Sequence, residues 1–177
     1  MRHTLVLGGA RSGKTAFGET LALRTGTKPL YLAMTQTLDD ETRDRVESHR
    51  AQRAGRFATR EEPLLLSRTI IAAGQEHDAI LVDSVTLWIT NLLMANEDVA
   101  TAVSELCATL MEFRSAKVIL VSHEVGLGVE PDNAMVRTFR DLAGSAHQRL
   151  AEICDDVYFV AAGLPLTLKG EPPLGGR

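Results

Sequence analysis

The run "GGARSGKT", Gly8 to Thr15, has the spacing G-x-x-x-x-G-K-[ST] and lies between the apolar run "TLVLGG" and the helix-spaced run "KTAFGETLALR". In that setting, after a strand and before a helix, the pattern is a phosphate-binding loop. Glycines let backbone N–H groups turn inward around phosphate oxygens, and the helix N-terminus adds partial positive charge. On this reading Gly8, Gly9, Ala10, Arg11, Ser12 and Gly13 form the cradle, Lys14 reaches the outer phosphates, and the Thr15 hydroxyl ligates magnesium.

Such a loop works with an acidic residue at the end of a neighbouring strand, which holds the metal directly or through water. "AILVD" offers Asp83. A carboxylate here could instead cap the helix that "SVTLWIT" begins, although Ser84 is able to fill that role.

A third chemical feature is His49. It lies in "DDETRDRVESHRAQR", Asp39 to Arg53, where only Val46 and Ala51 are apolar. With helical spacing Arg45, His49 and Arg53 share one face, a face that attracts anions. A helix with almost no apolar stripe gains little from packing, so it is either a solvated connector or a piece kept for chemistry.

The remaining histidines are less informative. His123 and Glu124 open "SHEVGLGVEP", but Leu127 stands where a zinc protease motif needs its second histidine, and Pro131 where a dinucleotide fingerprint needs its third glycine. The segment reads as a functional loop at the carboxyl edge of a sheet. His3, His77 and His147 have no partners at suggestive spacing and read as structural or solvated.

The elements that must position these groups alternate. "TLVLGG", "KPLYLAM", "DAILVD", "KVILVS" and "DDVYFVAAG" are strand-like, and "LPLTLK" closes the fold. Between them "LLLSRTIIAAG" reads as a helix ending at Gly74, followed by a helical tract with Trp88, then "DVATAVSELCATLMEF" and "NAMVRTFRDLAGSAHQRLAEIC". Continuous apolar strands alternating with helices indicate an α/β fold, a mostly parallel sheet covered on both faces. We expect one domain, residues 1–169, and a disordered Gly/Pro-rich tail, residues 170–177.

Composition narrows the partners. With 23 acidic against 19 basic side chains and a formal net charge of −4, no positive field is available for a nucleic-acid backbone. "AILVDSVTLWITNLLMA" contains Asp83 and falls short of the roughly 20 apolar residues of a membrane span. The N-terminus lacks the pattern of a signal peptide, and Cys107 and Cys154 read as buried thiols, so a cytoplasmic protein is expected.

Together "GGARSGKT", "LDDETRDRVESHRAQR", "TREEPLLL", "ILVDSVTLWITNLL", "VSHEVGLGVEP" and "FRDLAGSAHQRLAEICDDVYFVAAGLPLTLK" resemble the bifunctional adenosylcobinamide kinase and adenosylcobinamide-phosphate guanylyltransferase family of cobalamin assembly. The likeness spans nearly the whole chain. It implies a RecA-like P-loop fold that uses ATP or GTP with Mg2+ to phosphorylate adenosylcobinamide, then joins GMP from GTP to adenosylcobinamide phosphate. It assigns His49 as the nucleophile that carries GMP, and adds Ala33, Met34, Thr35, Arg50, Ala51, Gln52, Arg53 and Glu61 to the loop residues and Asp83 as nucleotide contacts. It also implies a homo-oligomer, a trimer, for which Trp88, Leu92 and Leu93 are contact candidates, a plain core helix being the equal alternative. The chain departs from the family pattern at His123 (asparagine expected), Ser84 (cysteine common) and Phe57 (tryptophan usual).

Two other readings fit the loop alone: a monofunctional small-molecule kinase whose polar segment is a lid, and a RecA-type regulatory ATPase. The acidic balance weighs against a polymer-bound ATPase, and a covalent nucleotide label separates the lid from the nucleophile.

Overall fold

The computed structural model describes residues 1–35 and 55–173. The polar run with His49 and its arginines, including Arg50, Ala51, Gln52 and Arg53, lies outside the described residues, as do residues 174–177.

Seven strands form one sheet: β1 (Thr4–Gly8), β2 (Pro29–Ala33), β3 (Ala58–Glu61), β4 (Ala79–Asp83), β5 (Lys117–His123), β6 (Asp156–Ala161) and β7 (Leu164–Lys169). Their spatial order is β3-β2-β4-β5-β1-β6-β7. All neighbours are parallel except β7, which returns antiparallel along β6. Five described helices connect them: α1 (Lys14–Thr25), α2 (Leu66–Ala73), α3 (Val85–Met94), α4 (Val99–Glu112) and α5 (Ala134–Ile153).

The strand side chains divide by parity, as a pleat requires. Leu5, Leu7, Leu30, Leu32, Ile80, Val82, Val118 and Leu120 face one layer, where they meet Ile70, Trp88, Ile89, Leu106, Leu110 and Leu150. Val6, Tyr31, Leu81, Ile119, Val121 and Val160 face the other, under Leu21 and Ala22 of α1. Because both faces are covered, the central strands read as unbroken apolar runs.

β3 is not among the strands expected from the sequence. "ATRE" is an edge strand, mostly exposed, so no apolar alternation marks it. Trp88 and Leu92 are buried in the larger core cluster, and Leu93 packs against it, which removes Trp88 and Leu92 as subunit contacts. Trp88 Nε1 donates to Leu64 O at 2.9 Å, so its polar edge is also satisfied internally. Both cysteines are buried thiols, and burial pushes Cys154 up to about 12.

Candidate functional site

β1 ends at Gly8, and the chain turns through the loop into α1. Two glycines are required there. A Cβ on Gly8 would lie 2.5 Å from Ser12 Oγ and 2.6 Å from Val160 O. Gly13 has φ of 94°, a left-handed conformation that other residues adopt at a cost, and it caps the N-terminus of α1. The turn after β6 buttresses the loop, with Gly163 N donating to Ser12 O at 2.8 Å.

The loop opens on a cleft of about 1040 Å3 at the carboxyl ends of the strands. Arg11, Ser12, Gly13, Lys14 and Thr15 line it, whereas Gly8, Gly9 and Ala10 build the turn and are not among the lining residues. Lys14 is buried and donates to Gly9 O at 3.0 Å. Burial lowers its pKa, and the nearby Asp83 partly offsets the effect. Ser12 Oγ is buried and, among the described residues, has no hydrogen-bond partner, an orphan that suits an anion in the cradle.

Asp83, at the end of β4, faces the loop. Its Oδ2 accepts from Thr15 Oγ1 at 3.0 Å and from Tyr31 OH at 2.5 Å. Ser84 resolves the competing role, because its own Oγ accepts from Leu87 N at 3.3 Å and caps α3. Asp83 is therefore left to face the cleft. A hydroxyl and a carboxylate on adjacent elements form a hard-oxygen pair suited to Mg2+, which commonly takes one or two protein ligands and completes its shell with phosphate and water. Among the described residues no cluster of three or more His, Cys, Asp or Glu offers an alternative metal site.

Ala33 and Thr35, after β2, also line the cleft. Met34 between them turns its side chain into the core, and its backbone N donates to Asp83 O at 3.1 Å. Glu61 sits opposite Ala33 in register at the end of β3.

The opposite wall is built by α3 and the end of β5. Thr86 Oγ1 lies 3.2 Å from Ser84 Oγ, accepts from His123 N at 3.2 Å and is 3.3 Å from His123 Nδ1. Burial lowers the His123 pKa and Lys14 lowers it further, against the opposing pull of Asp83. The imidazole is thus favoured neutral beside Lys14. Beyond it Leu87, Val125 and Phe139 make this end of the cleft apolar.

Sequence reasoning missed Tyr31, Thr86, Arg56 and Thr59 as lining residues. Tyr31 sits in an apolar strand whose neighbour in register, Leu81, gives no hint that its hydroxyl reaches Asp83. The only available signal was a tyrosine two residues before a strand end.

The other described histidines serve the fold. His3 Nδ1 accepts from Val118 N at 3.2 Å, which leaves Nε2 to donate to Phe113 O at 3.2 Å. His147 Nε2 pairs with Ser122 Oγ at 2.7 Å, and His77 lies on the surface with Nδ1 3.1 Å from Lys28 O. No helix among the described residues is long and apolar enough to cross a membrane.

Comparison with known proteins places this geometry. Solved structures of similar fold include the flagellar accessory protein FlaH from Methanocaldococcus jannaschii (TM-score 0.52, 13% identity, 96% of this chain and 78% of that one). A prototypical ATPase from the type III secretion system of pathogenic bacteria is another (TM-score 0.52, 12% identity, 94% and 56%). At these identities the likeness shows the fold alone, the P-loop α/β fold expected from the sequence. Among sequence relatives, the bifunctional adenosylcobalamin biosynthesis protein CobP of Pseudomonas aeruginosa is 42% identical over 169 residues, covering 95% of this chain and 98% of that protein. The bifunctional adenosylcobalamin biosynthesis protein CobU of Salmonella typhimurium is 36% identical over 179 residues, covering 93% and 98%. The CobU family model, described as cobinamide kinase / cobinamide phosphate guanyltransferase, matches residues 4–168 and so takes in the loop, Asp83 and the His123 wall alike. With nearly the whole chain matched, by the family model and by relatives of full length, this protein belongs to the cobinamide kinase / cobinamide phosphate guanyltransferase family.

Proposed function

We propose that one phosphate-binding loop serves two successive reactions. In the first, the aminopropanol hydroxyl of adenosylcobinamide attacks the γ-phosphate of ATP or GTP. A new O–P bond forms, the bond to the β-phosphate breaks, and the hydroxyl proton is released. In the second, an unprotonated ring nitrogen of His49 attacks the α-phosphate of GTP and pyrophosphate leaves. The phosphate of adenosylcobinamide phosphate then displaces the histidine, giving adenosylcobinamide-GDP.

The observation that carries this reading is the convergence of Lys14, Thr15 and Asp83 on one cleft in a chain matched over residues 4–168. Lys14 neutralises charge on the outer phosphates, and the cradle orients the triphosphate for in-line attack. Thr15 and Asp83 would hold Mg2+, which when bound offsets phosphate charge. Arg45 and Arg53, at helical spacing from His49, would hold phosphate oxygens. Nucleotide contacts from Arg50, Ala51, Gln52 and Glu61 belong to the same proposal. So do a cytoplasmic location and a homo-oligomer, a trimer, to be checked by sedimentation.

The test is intact-mass measurement after incubation with GTP and Mg2+. The wild-type chain should gain one GMP, and His49→Ala should not, while still phosphorylating adenosylcobinamide. Absence of any covalent label would favour the monofunctional kinase with a polar lid. Loss of both activities in a folded His49→Ala protein would show that the residue shapes the shared site instead.

A further inference from the structure

The cleft holds about one drug-sized ligand, since such pockets run to roughly 300–1,000 Å3 and this one is about 1040 Å3. A nucleoside triphosphate seated on the loop and a corrin macrocycle, the second larger than a drug-sized ligand, together exceed that space. The macrocycle of a corrinoid acceptor must therefore lie outside, reaching in with its hydroxyl arm. Val125 and Phe139 line the cleft, and the chain between them runs through exposed positions.

That segment is unusually apolar for an exposed one. Leu127 is 81% exposed, Val129 95%, Met135 77% and Val136 46%. They are continuous in the chain with the cleft residues: Val125 leads into Leu127 and Val129, and Met135 and Val136 stand four and three positions before Phe139 on α5. Gly126 and Gly128 flank Leu127 and contribute no side chain, so a flat ring can rest on it directly.

This exposure does not come from a loose segment. At one end Glu124 N donates to Gly8 O at 3.0 Å and Glu124 Oε1 accepts from Gly126 N at 2.5 Å. At the other, Arg137 Nη1 donates to Pro131 O and Asp132 O, both at 2.7 Å, and Asn133 Oδ1 caps α5 by accepting from Met135 N at 2.8 Å. A pinned loop that holds several large apolar side chains in water marks a binding surface. Charge agrees in sign: residues 124–133 carry Glu124, Glu130 and Asp132, against which Arg137 and Arg140 of α5 are set, Arg140 lying 3.8 Å from Glu130, so the segment keeps a balance of one negative charge toward an unphosphorylated adenosylcorrinoid, which is cationic.

We infer that Leu127, Val129, Met135 and Val136 form a platform for the corrin face of the acceptor, continuous with Val125 and Phe139 in the cleft. The inference rests on the proposed kinase reaction and adds where its acceptor binds. The macrocycle lies on the platform while its aminopropanol arm passes His123 toward the γ-phosphate.

The full-length L127S/V129S variant tests this with adenosylcobinamide and GTP as probes. Each side chain is worth about tenfold in binding when covered, so the KM for adenosylcobinamide should rise at least tenfold. The KM for GTP, the GMP mass gain and the sedimentation coefficient should stay unchanged, and L127I/V129I should restore wild-type behaviour. An unchanged corrinoid KM overturns the platform. A fall in oligomer mass accompanying the KM change overturns it too, because the occupant would then be a second copy of the chain. If the wild-type protein fails to phosphorylate adenosylcobinamide at all, the kinase reading fails first and the platform with it.

Discussion

Thr15 and Asp83, separated by 68 positions in the chain, meet at 3.0 Å through the hydroxyl of one and Oδ2 of the other. Tyr31 OH holds the same oxygen from β2, and Phe57 packs edge-on against the Tyr31 ring at 6.1 Å between centroids. The carboxylate is therefore oriented by side chains from two elements before any nucleotide arrives. Asp83→Asn is expected to lower kcat of phosphorylation by roughly 10²–10³, the scale of losing one preorganised charged group. Tyr31→Phe removes only the orienting bond and should cost about tenfold or less. Steady-state kinetics at saturating Mg2+ would check the order; equal effects of the two substitutions would contradict it.

Lys14→Ala should cripple both phosphorylation and GMP loading, because the proposed function uses one loop to hold the triphosphate for each. Intact mass and corrinoid phosphorylation, measured on the same preparation, read the two outcomes. Retained GMP loading in Lys14→Ala would mean that GTP for the second step binds elsewhere.

Trp88 is fully buried against the helical layer, and its indole donates to Leu64 O. Trp88→Ala should destabilise the fold by about 3–5 kcal/mol. The loss should not depend on protein concentration in urea titrations. A concentration-dependent midpoint shift would reinstate this residue at a subunit contact.

Two buried histidines give the stability a pH dependence. Burial lowers the pKa of His3 below 6.5, and likewise that of His147, where the neighbouring Glu124 only partly opposes it. Below pH 6.5 the unfolded chain then binds more protons than the folded one, so stability present above that pH declines as pH falls. For His3 the cause is visible: protonation of Nδ1 would end its acceptance from Val118 N. Urea midpoints measured from about pH 8 down to about pH 5 should fall once the unfolded imidazoles begin to protonate, and His147→Gln should flatten part of that slope. A level wild-type profile would refute the assignment.

What could be read from the sequence follows from how local each signal is. The loop is a contiguous motif, so the turn of Gly8 to Thr15 between a strand and a helix was legible at once. Asp83 was legible for the same reason, at the end of an apolar strand. The central strands announced themselves because both faces are buried. β3 did not, since an edge strand pairs through its backbone and need not show any side-chain pattern. The resemblance, not the periodicity, assigned His49.

Tertiary structure decided everything that depends on which elements are neighbours. The parallel order β2-β4-β5-β1 sets Tyr31 beside the Asp83 strand and His123 beside Gly8, and no local pattern encodes that adjacency. An apolar helix such as α3 looks alike whether its stripe meets its own core or another chain, and only packing placed Trp88 inside. Conversely, Leu127 and Val129 look like ordinary loop residues in sequence. What sets them apart is their exposure, 81% and 95%, because hydrophobic exposure is a property of the folded surface and not of the chain.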